Sequence, residues 1–438
     1  MRFFLLFALA AGSVSAAWMA GAAAVDITPT ESIWMAGYAS RTKPSEGVRQ
    51  PIFAKALALR DDSGATSVMV TLDLVGIRRN MAEAIATRAQ KNLGIARERI
   101  IFNASHTHSA PLVGDNSSYA YLFGDKAPEI RGAIERYTKA VEENIYTAVA
   151  KSVAALAPAT LHFGQGFAGF AVNRRRVGHR DYPGPVDHDV PVLAVRDTAG
   201  RIKAVAFGYA CHNTIMADYT IHGDYAGYAQ ARLEALYPGA VALFVQGAGA
   251  DSNPLPRRKP EHLDRYGATL ADAVEEVISG KMRTLNGPLR AAIEFPEVKF
   301  APHTKAEFEE AKAKGSEVSR RHAEGQLRIL DRDGKLRDTH PYPVQAWRFG
   351  SDLMLVTLAG ELVVDYALKF KSRYGWDKTW IAGYSNDVFG YIPSLRVLKE
   401  GGYEGGEAFL FGSFPGAFAD DIEDRITSAV SRVVDKVQ

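Results

Sequence analysis

One cysteine, Cys211, stands in 438 residues, so no disulfide can form within the chain and its folding rests on core packing. Its setting, Tyr209-Ala210-Cys211-His212, reads as a small buried filler at a strand end rather than a nucleophile. An excess of charge is missing as well: 52 basic residues against 50 acidic leave +2. That argues against a nucleic-acid partner, since there is no basic surplus to neutralise phosphates. No internal repeat, low-complexity tract or Pro/Ser-rich linker interrupts the chain. Beyond the N-terminus no run approaches the roughly 20 apolar residues of a membrane span. What remains is a globular, enzyme-sized chain, long enough for one large α/β domain or two ordinary ones.

The first residues are of another kind. Arg2 precedes the apolar run Phe3 to Ala11, and Gly12-Ser13-Val14-Ser15-Ala16 follows. A short basic start, an apolar stretch too short to span a bilayer and a small-residue site are the marks of a secretory leader. The expectation is a signal peptide over 1–16, cleaved after Ala16, one domain over 17–438, and a secreted or periplasmic protein.

Alternation and turn residues place the elements. Ile52 to Arg60 and Ser67 to Leu74 read as a hairpin, closed by a turn at Asp61-Asp62-Ser63-Gly64. Asp73, at the end of that hairpin, is either a cap on the next helix or a support for a site. Val190 to Asp197 with Ile202 to Ala210, and Val344 to Phe349 with Leu353 to Leu358, read as further hairpins. Helical periodicity covers Asn80 to Leu93, Glu129 to Leu156, residues 261–280 and Lys305 to Glu324. The fold expected is α/β: a large mixed sheet flanked by helices, with a metal site at strand ends.

The chemistry gathers where buried strands stop. Ile100-Ile101-Phe102 feeds His106-Thr107-His108, and two histidines at i and i+2 on extended backbone point to one side. A strand ending at Ala210 delivers His212, and one ending at Leu358 delivers Gly360-Glu361. His106 (or His108), His212 and Glu361 thus make two imidazoles and a carboxylate, the zinc set that leaves a coordination position free. Between them lies Gln246-Gly247-Ala248-Gly249-Ala250-Asp251-Ser252-Asn253, a glycine-rich turn after a buried strand, without the spacing of a phosphate-binding loop. Arg174-Arg175-Arg176 is a solvated turn unless one guanidinium faces the site.

These segments resemble the neutral (alkaline, non-lysosomal) ceramidases from Gly21 to about Gly412. His106-Thr107-His108-Ser109-Ala110-Pro111 is similar to the family's His-x-His-Ser-Gly-Pro, whose first histidine binds zinc and whose second lies beside the reaction centre. Asn173-Arg174 resembles Asn-Arg-Ser, whose arginine holds substrate. His212, with His222-Gly223-Asp224-Tyr225-Ala226-Gly227-Tyr228 after it, matches the second zinc histidine, and Gly360-Glu361 the carboxylate ligand. Gly383-Tyr384-Ser385-Asn386 followed by Tyr391 resembles the segment whose tyrosine approaches the metal, and Tyr403 falls where the family's tyrosine assists the oxyanion. Two departures stand out. Asn253 occupies the position of the proposed nucleophilic serine, with Ser252 one residue early and turned to the opposite face. The chain also reads as a short, bacterial-type form without the ceramidases' C-terminal β-sandwich domain.

The resemblance implies a secreted Zn²⁺-dependent amidohydrolase acting on ceramide or a related N-acyl lipid, with metal-activated water as the attacking group. His106, His212 and Glu361 would hold the ion, with Tyr391 as a fourth ligand. His108 or Asp251 would manage protons, and Arg174, Tyr403 and Asn253 would position the carbonyl and its oxyanion. A different amide or ester, from cell-wall or sugar derivatives, and a non-catalytic binding protein on the same scaffold are the alternatives. The expected partner is a small-molecule or lipid substrate, with room for peripheral membrane contact and none for nucleic acid.

Overall fold

A computed structural model describes residues 18–114, 127–176 and 183–438. The leader expected at the N-terminus lies outside the described residues. The main sheet contains β1 (Trp18–Asp26), β2 (Phe53–Asp61), β3 (Thr66–Leu72), β4 (Ile100–Ala104), β5 (Ala157–Phe167), β6 (Asp189–Asp197), β7 (Ile202–Tyr209) and β8 (Val241–Gln246). They lie in the order β8-β7-β6-β5-β1-β2-β3-β4, and Arg283–Leu285 adds a strand to β5. Pairing is antiparallel through the middle but parallel at both ends, β8 with β7 and β3 with β4. The sheet is mixed, as expected from the hairpins.

A second sheet was not foreseen. Strands β9 (Leu289–Glu294), β10 (Val344–Phe349), β11 (Leu353–Leu358) and β12 (Thr379–Ala382) pair in that order. Its alternation explains the layering. Trp347, Phe349, Leu353 and Leu355 face inward against Leu57, Leu161, Phe163 and Leu243 of the main sheet. Val344, Ala346, Val356 and Leu358 face outward onto α7 (Val364–Tyr374) and α8 (Ile422–Val437). The main sheet's other face carries α1 (Arg79–Leu93) and α2 (Ala127–Ala154) over one half, and α3 (Asp224–Leu236) and α4 (Glu261–Ser279) over the other. The result is helix, sheet, sheet, helix.

The expected helix over Lys305–Glu324 is in fact two, α5 (Lys305–Lys314) and α6 (Glu317–Asp333), broken at Gly315-Ser316. The Ser316 side chain accepts from Ser319 N–H and starts α6 anew. Asp331-Arg332-Asp333 forms the last turn of α6, which Gly334 ends at φ 72°.

The two ends of the main sheet are drawn together by buried amides. Asn103 at the end of β4 accepts from Gln246 N–H at the end of β8 (2.8 Å) and donates to Gly383 O beside β12 (2.8 Å). The free edge of β4 is closed by chain from the second sheet: Ala104 N–H donates to Tyr384 O, and Asn386 N–H to Phe102 O. Three strand ends therefore meet at one place. Asp73 neither caps α1 nor reaches that place; its carboxylate accepts from Phe53 N–H and Gln230 and ties β2 to α3.

Candidate metal centre

The loops leaving β4, β7 and β11 carry, in turn, His106 with His108, His212 and Glu361. The pair His106 and His108 is not on extended backbone, as the spacing suggested. Strand β4 stops at Ala104, and His106 takes a left-handed conformation, φ 61°. The imidazoles still converge, with Nε2 atoms 3.0 Å apart, because the loop turns rather than because a strand alternates. Asn213 locks this loop to the one carrying His212, donating to Ser105 O (2.6 Å) and accepting from Ala226 N–H of α3 (3.2 Å).

Glu361 completes the group. Its Oε2 lies 3.2 Å from His106 Nε2 and 3.3 Å from His212 Nε2. Gly360 before it sits at φ 72°, and a Cβ there would meet Ile392 at 2.5 Å, so the Gly-Glu order is a backbone requirement. Val75 O accepts from His106 Nδ1 (2.6 Å) and Gly249 O from His212 Nδ1 (2.7 Å). Those bonds place the proton on Nδ1 and turn both Nε2 lone pairs toward the carboxylate. The glycine-rich turn thus serves to bring a carbonyl to His212: a Cβ on Gly249 would lie 2.5 Å from Cys211 N. Cys211 itself is buried, as its setting suggested, and burial pushes its thiol well above the usual range.

Two lone pairs and an anion facing one another repel unless a cation lies between them. Glu361 Oε2 is buried without a hydrogen-bond partner. Ligands at 2.0–2.1 Å around a tetrahedral ion stand roughly 3.3–3.4 Å apart, close to the spacings seen here. The Nε2/Nδ1 ligand atoms of His106, His108 and His212 all lie within 4.8 Å of one another. The donor set fits a divalent metal. Burial, with Arg174 nearby, pulls His212 down to about 4, and burial and the other two imidazoles hold His108 well below the usual histidine value. Burial alone would raise the Glu361 carboxyl, but His106 and His212 beside it hold it well below the usual carboxylate range.

The remaining expected residues divide. Tyr391 Oη lies 3.3 Å from His212 Nε2 and accepts from Arg174 Nη2 (3.0 Å). Tyr403 packs edge-on to Tyr391, with ring centres 5.2 Å apart, and stays partly exposed. None of the three arginines is a free solvated turn. Arg174 Nε donates to Glu404 (2.6 Å), Arg175 to Glu404 and Glu400, and Arg176 to Glu400. Burial works against the charge of Arg174, but Tyr391 and Glu404 hold its pKa above the ordinary value. Asp251 is buried with both oxygens taken up, by Val364 N–H (2.9 Å) and Asn173 (3.1 Å), and burial lifts it to about 6. This places Asp251 as a brace between the Arg174 segment and the Glu361 segment. Ser252 and Asn253 alternate on a short strand, Ser252–Pro254, paired with Ala171–Asn173. Asn253 Oδ1 faces Thr214, and Ser252 Oγ is buried without a partner.

Two cavities open beside the centre and share Val75, Leu112, Glu361, Tyr403 and Phe411. One, of about 230 Å³, is walled by Phe389, Phe409, Phe411 and Phe414. The other, of about 430 Å³, runs past Trp34, Tyr38 and Arg41.

A family model, neutral/alkaline non-lysosomal ceramidase, N-terminal, matches residues 18–254, more than half of the chain. The chain belongs to that family. Neutral ceramidase of Drosophila melanogaster is 28% identical to this ceramidase-family chain over 111 residues, 25% of the chain and 16% of that protein. The matched stretch is thus a small part of that curated relative. Two solved structures share the fold: neutral ceramidase from Pseudomonas aeruginosa (TM-score 0.73, 20% identity) and a ceramidase complexed with C2 (TM-score 0.72, 18% identity). Each alignment covers 95% of this chain and 75% of the other. The family match ends at Pro254, before Glu361, Tyr391 and Tyr403, so it is the tertiary structure that joins these to the histidines.

Several supporting residues carried no signal in the sequence reading. Gly37 is the plainest: at φ 93°, with a Cβ that would lie 2.4 Å from His108 Cγ, it leaves the space His108 occupies. Gly37→Ala is expected to displace His108 and to lower turnover at least about tenfold, a positional loss of the kind general acid–base groups show. Bound metal should be unchanged. Equal turnover in the variant, measured beside its metal content, would remove His108 from the chemistry. Glu404 gave no local signal: Glu400 ends the helix Leu395–Glu400 and Glu404 lies in the separate turn Gly402–Gly405, so no helical spacing relates the two acids.

Proposed function

We propose that this chain is a zinc-dependent amidohydrolase that cleaves the amide of ceramide or a related N-acyl lipid. The observation that carries the reading is the meeting of His106, His212 and Glu361, with both imidazoles pinned through Nδ1, at the junction of two cavities. When bound by these three, a Zn²⁺ ion polarises a carbonyl and lowers the pKa of water to about 7. His108 differs from the two ligands: its Nδ1 has no carbonyl partner, which leaves it to handle protons instead. Its Nε2 would take the proton of the attacking water and return it to the leaving nitrogen. Water is the attacking group in this reading because Asn253, in the serine's place, has no nucleophilic oxygen. Tyr403 and the Asn253 amide would donate to the oxyanion, and Arg174 would hold Tyr391 in place through its bond to Oη. The phenylalanine-walled cavity suits an acyl chain. Export is part of the reading, on the leader at residues 1–16. No helix among the described residues is long and apolar enough to cross a membrane.

The test is a panel of fluorogenic N-acyl amides and esters, ceramide included, run on the purified chain with and without chelator. Expected are close to one equivalent of zinc, turnover that stops on chelation and returns with zinc, and a preference for amides with a long acyl chain. Turnover no higher than that of Glu361→Ala on every member would leave a binding protein instead. A preference for short esters would move the substrate class to other amides and esters.

Arg174→Ala is expected to reduce kcat about a hundredfold, within the range for loss of a preorganised electrostatic group, while metal content holds. Arg174→Lys should not restore it, because one ammonium cannot serve Glu404 and Tyr391 with the geometry of a guanidinium. Full activity in the lysine variant would show that only charge matters there.

A further inference from the structure

His106 and His212 are each held through Nδ1, but the Nδ1 of His108 is buried with no partner. Rotation about the bond from Cβ to an imidazole is broad and roughly two-fold, so this ring needs another restraint. The residues that enclose it come from one segment, 34–41. Leu112 N–H donates to Trp34 O and Ala36 N–H to Ala110 O (each 2.9 Å), so the segment pairs with the chain just beyond His108. Gly37 then turns at φ 93° and leaves room for the imidazole. Tyr38 follows and sets its ring edge-on to His108, with ring centres 4.7 Å apart and planes at 62°. Arg41 closes the segment, donating to the backbone carbonyls of Ala36, His108 (2.8 Å) and Asp218 (3.0 Å).

Tyr38 is itself held at its tip and at its ring. Its Oη donates to Met216 O (3.0 Å) and accepts from Arg258 Nη1 (2.9 Å). The guanidinium carbons of Arg41 and Arg258 stand 4.9 and 5.1 Å from its ring centre, within reach of cation–π attraction. An edge-on aromatic contact has a preferred geometry, so a fixed ring passes its orientation to its neighbour. We propose, on the reading of His108 as the proton carrier, that Tyr38 is the positioning residue of His108. Its ring keeps the imidazole turned with Nε2 toward the metal ligands, 3.0 Å from His106 Nε2.

Tyr38→Leu removes the ring and Tyr38→Phe keeps it. On the full chain loaded with zinc, Tyr38→Leu is expected to lower kcat about tenfold, the scale of a misplaced acid–base group, with KM and zinc content held. Tyr38→Phe should recover most of that loss. In the His108→Ala background the leucine substitution should cost less than about twofold, because residues that act as a unit do not add. Arg258→Gln, at an exposed site where folding is not at stake, should give a smaller loss of the same kind. Ring-labelled histidine supplies a readout that needs no turnover. The His108 signal, identified by its absence in His108→Ala, should be single in the zinc-loaded protein and broadened or split in Tyr38→Leu, as microsecond-to-millisecond ring exchange requires. The signals of His106 and His212, pinned at Nδ1, should keep their width. An unchanged His108 signal in Tyr38→Leu, or losses that multiply with those of His108→Ala, overturns the proposal. So does a loss carried by KM alone, which would make Tyr38 only a wall of its cavity. Should no N-acyl amide turn over, the reaction proposed above fails and the ring signal alone decides what Tyr38 does.

Discussion

Changing any one of His106, His212 and Glu361 to alanine is expected to abolish metal retention and to cut kcat/KM at least about a thousandfold, well beyond the 10–100-fold typical of an outer partner. The reason is geometric. The three ligand atoms already stand 3.2–3.3 Å apart across the carboxylate, and the carbonyls of Val75 and Gly249 hold both rings in register. Removing one member leaves two ligands, too few for the four-coordinate arrangement zinc adopts. His108→Ala separates the roles, since it should lose turnover and keep the metal. Elemental analysis alongside kinetics reads both quantities. Stoichiometric zinc in the Glu361→Ala variant would show that the acid is not a ligand. Loss of zinc in the His108→Ala variant would make the three histidines the ligand set instead.

The largest effect on stability should come from a residue that touches no substrate. Asn103→Leu keeps the volume and removes the side-chain hydrogen bonds that join β4 to β8 and to the chain after β12. Gln246 N–H would be left buried without a partner, while Gly383 O keeps the Ser385 hydroxyl, so the cost is about 1–3 kcal/mol. Because His106 follows β4 by two residues, the same change should weaken metal binding even where the protein still folds. Urea unfolding of the zinc-loaded protein measures the first and competition with a chelator the second. A loss under about 1 kcal/mol would mean that the strand ends are held by apolar packing alone.

How far the residues themselves announced this can be followed at particular places. The hairpin of Val344–Phe349 and Leu353–Leu358 appears at the boundaries expected, because alternation of large apolar residues is a local property. That the same alternation serves two layers, Trp347 toward the main sheet and Val356 toward α7 and α8, is not local, and the stacking was not legible. The ligands were legible because each follows a buried strand within three residues. The histidine pair converges for a different reason from strand alternation, since His106 is left-handed and the backbone turns there. Glu404 was not legible, because its partner Arg174 lies 230 positions away along the chain.

Residue type and local order by themselves decided that this chain would build helices on a mixed sheet and would offer imidazoles and a carboxylate at strand ends. Folding decided which of them meet. Ring tautomers at His106 and His212, the place beside Gly37 that His108 fills and the bonding of Arg41 to three carbonyls all depend on neighbours brought from distant segments. Such contacts are made by packing two sheets face to face, and no period or spacing in a linear chain encodes that distance.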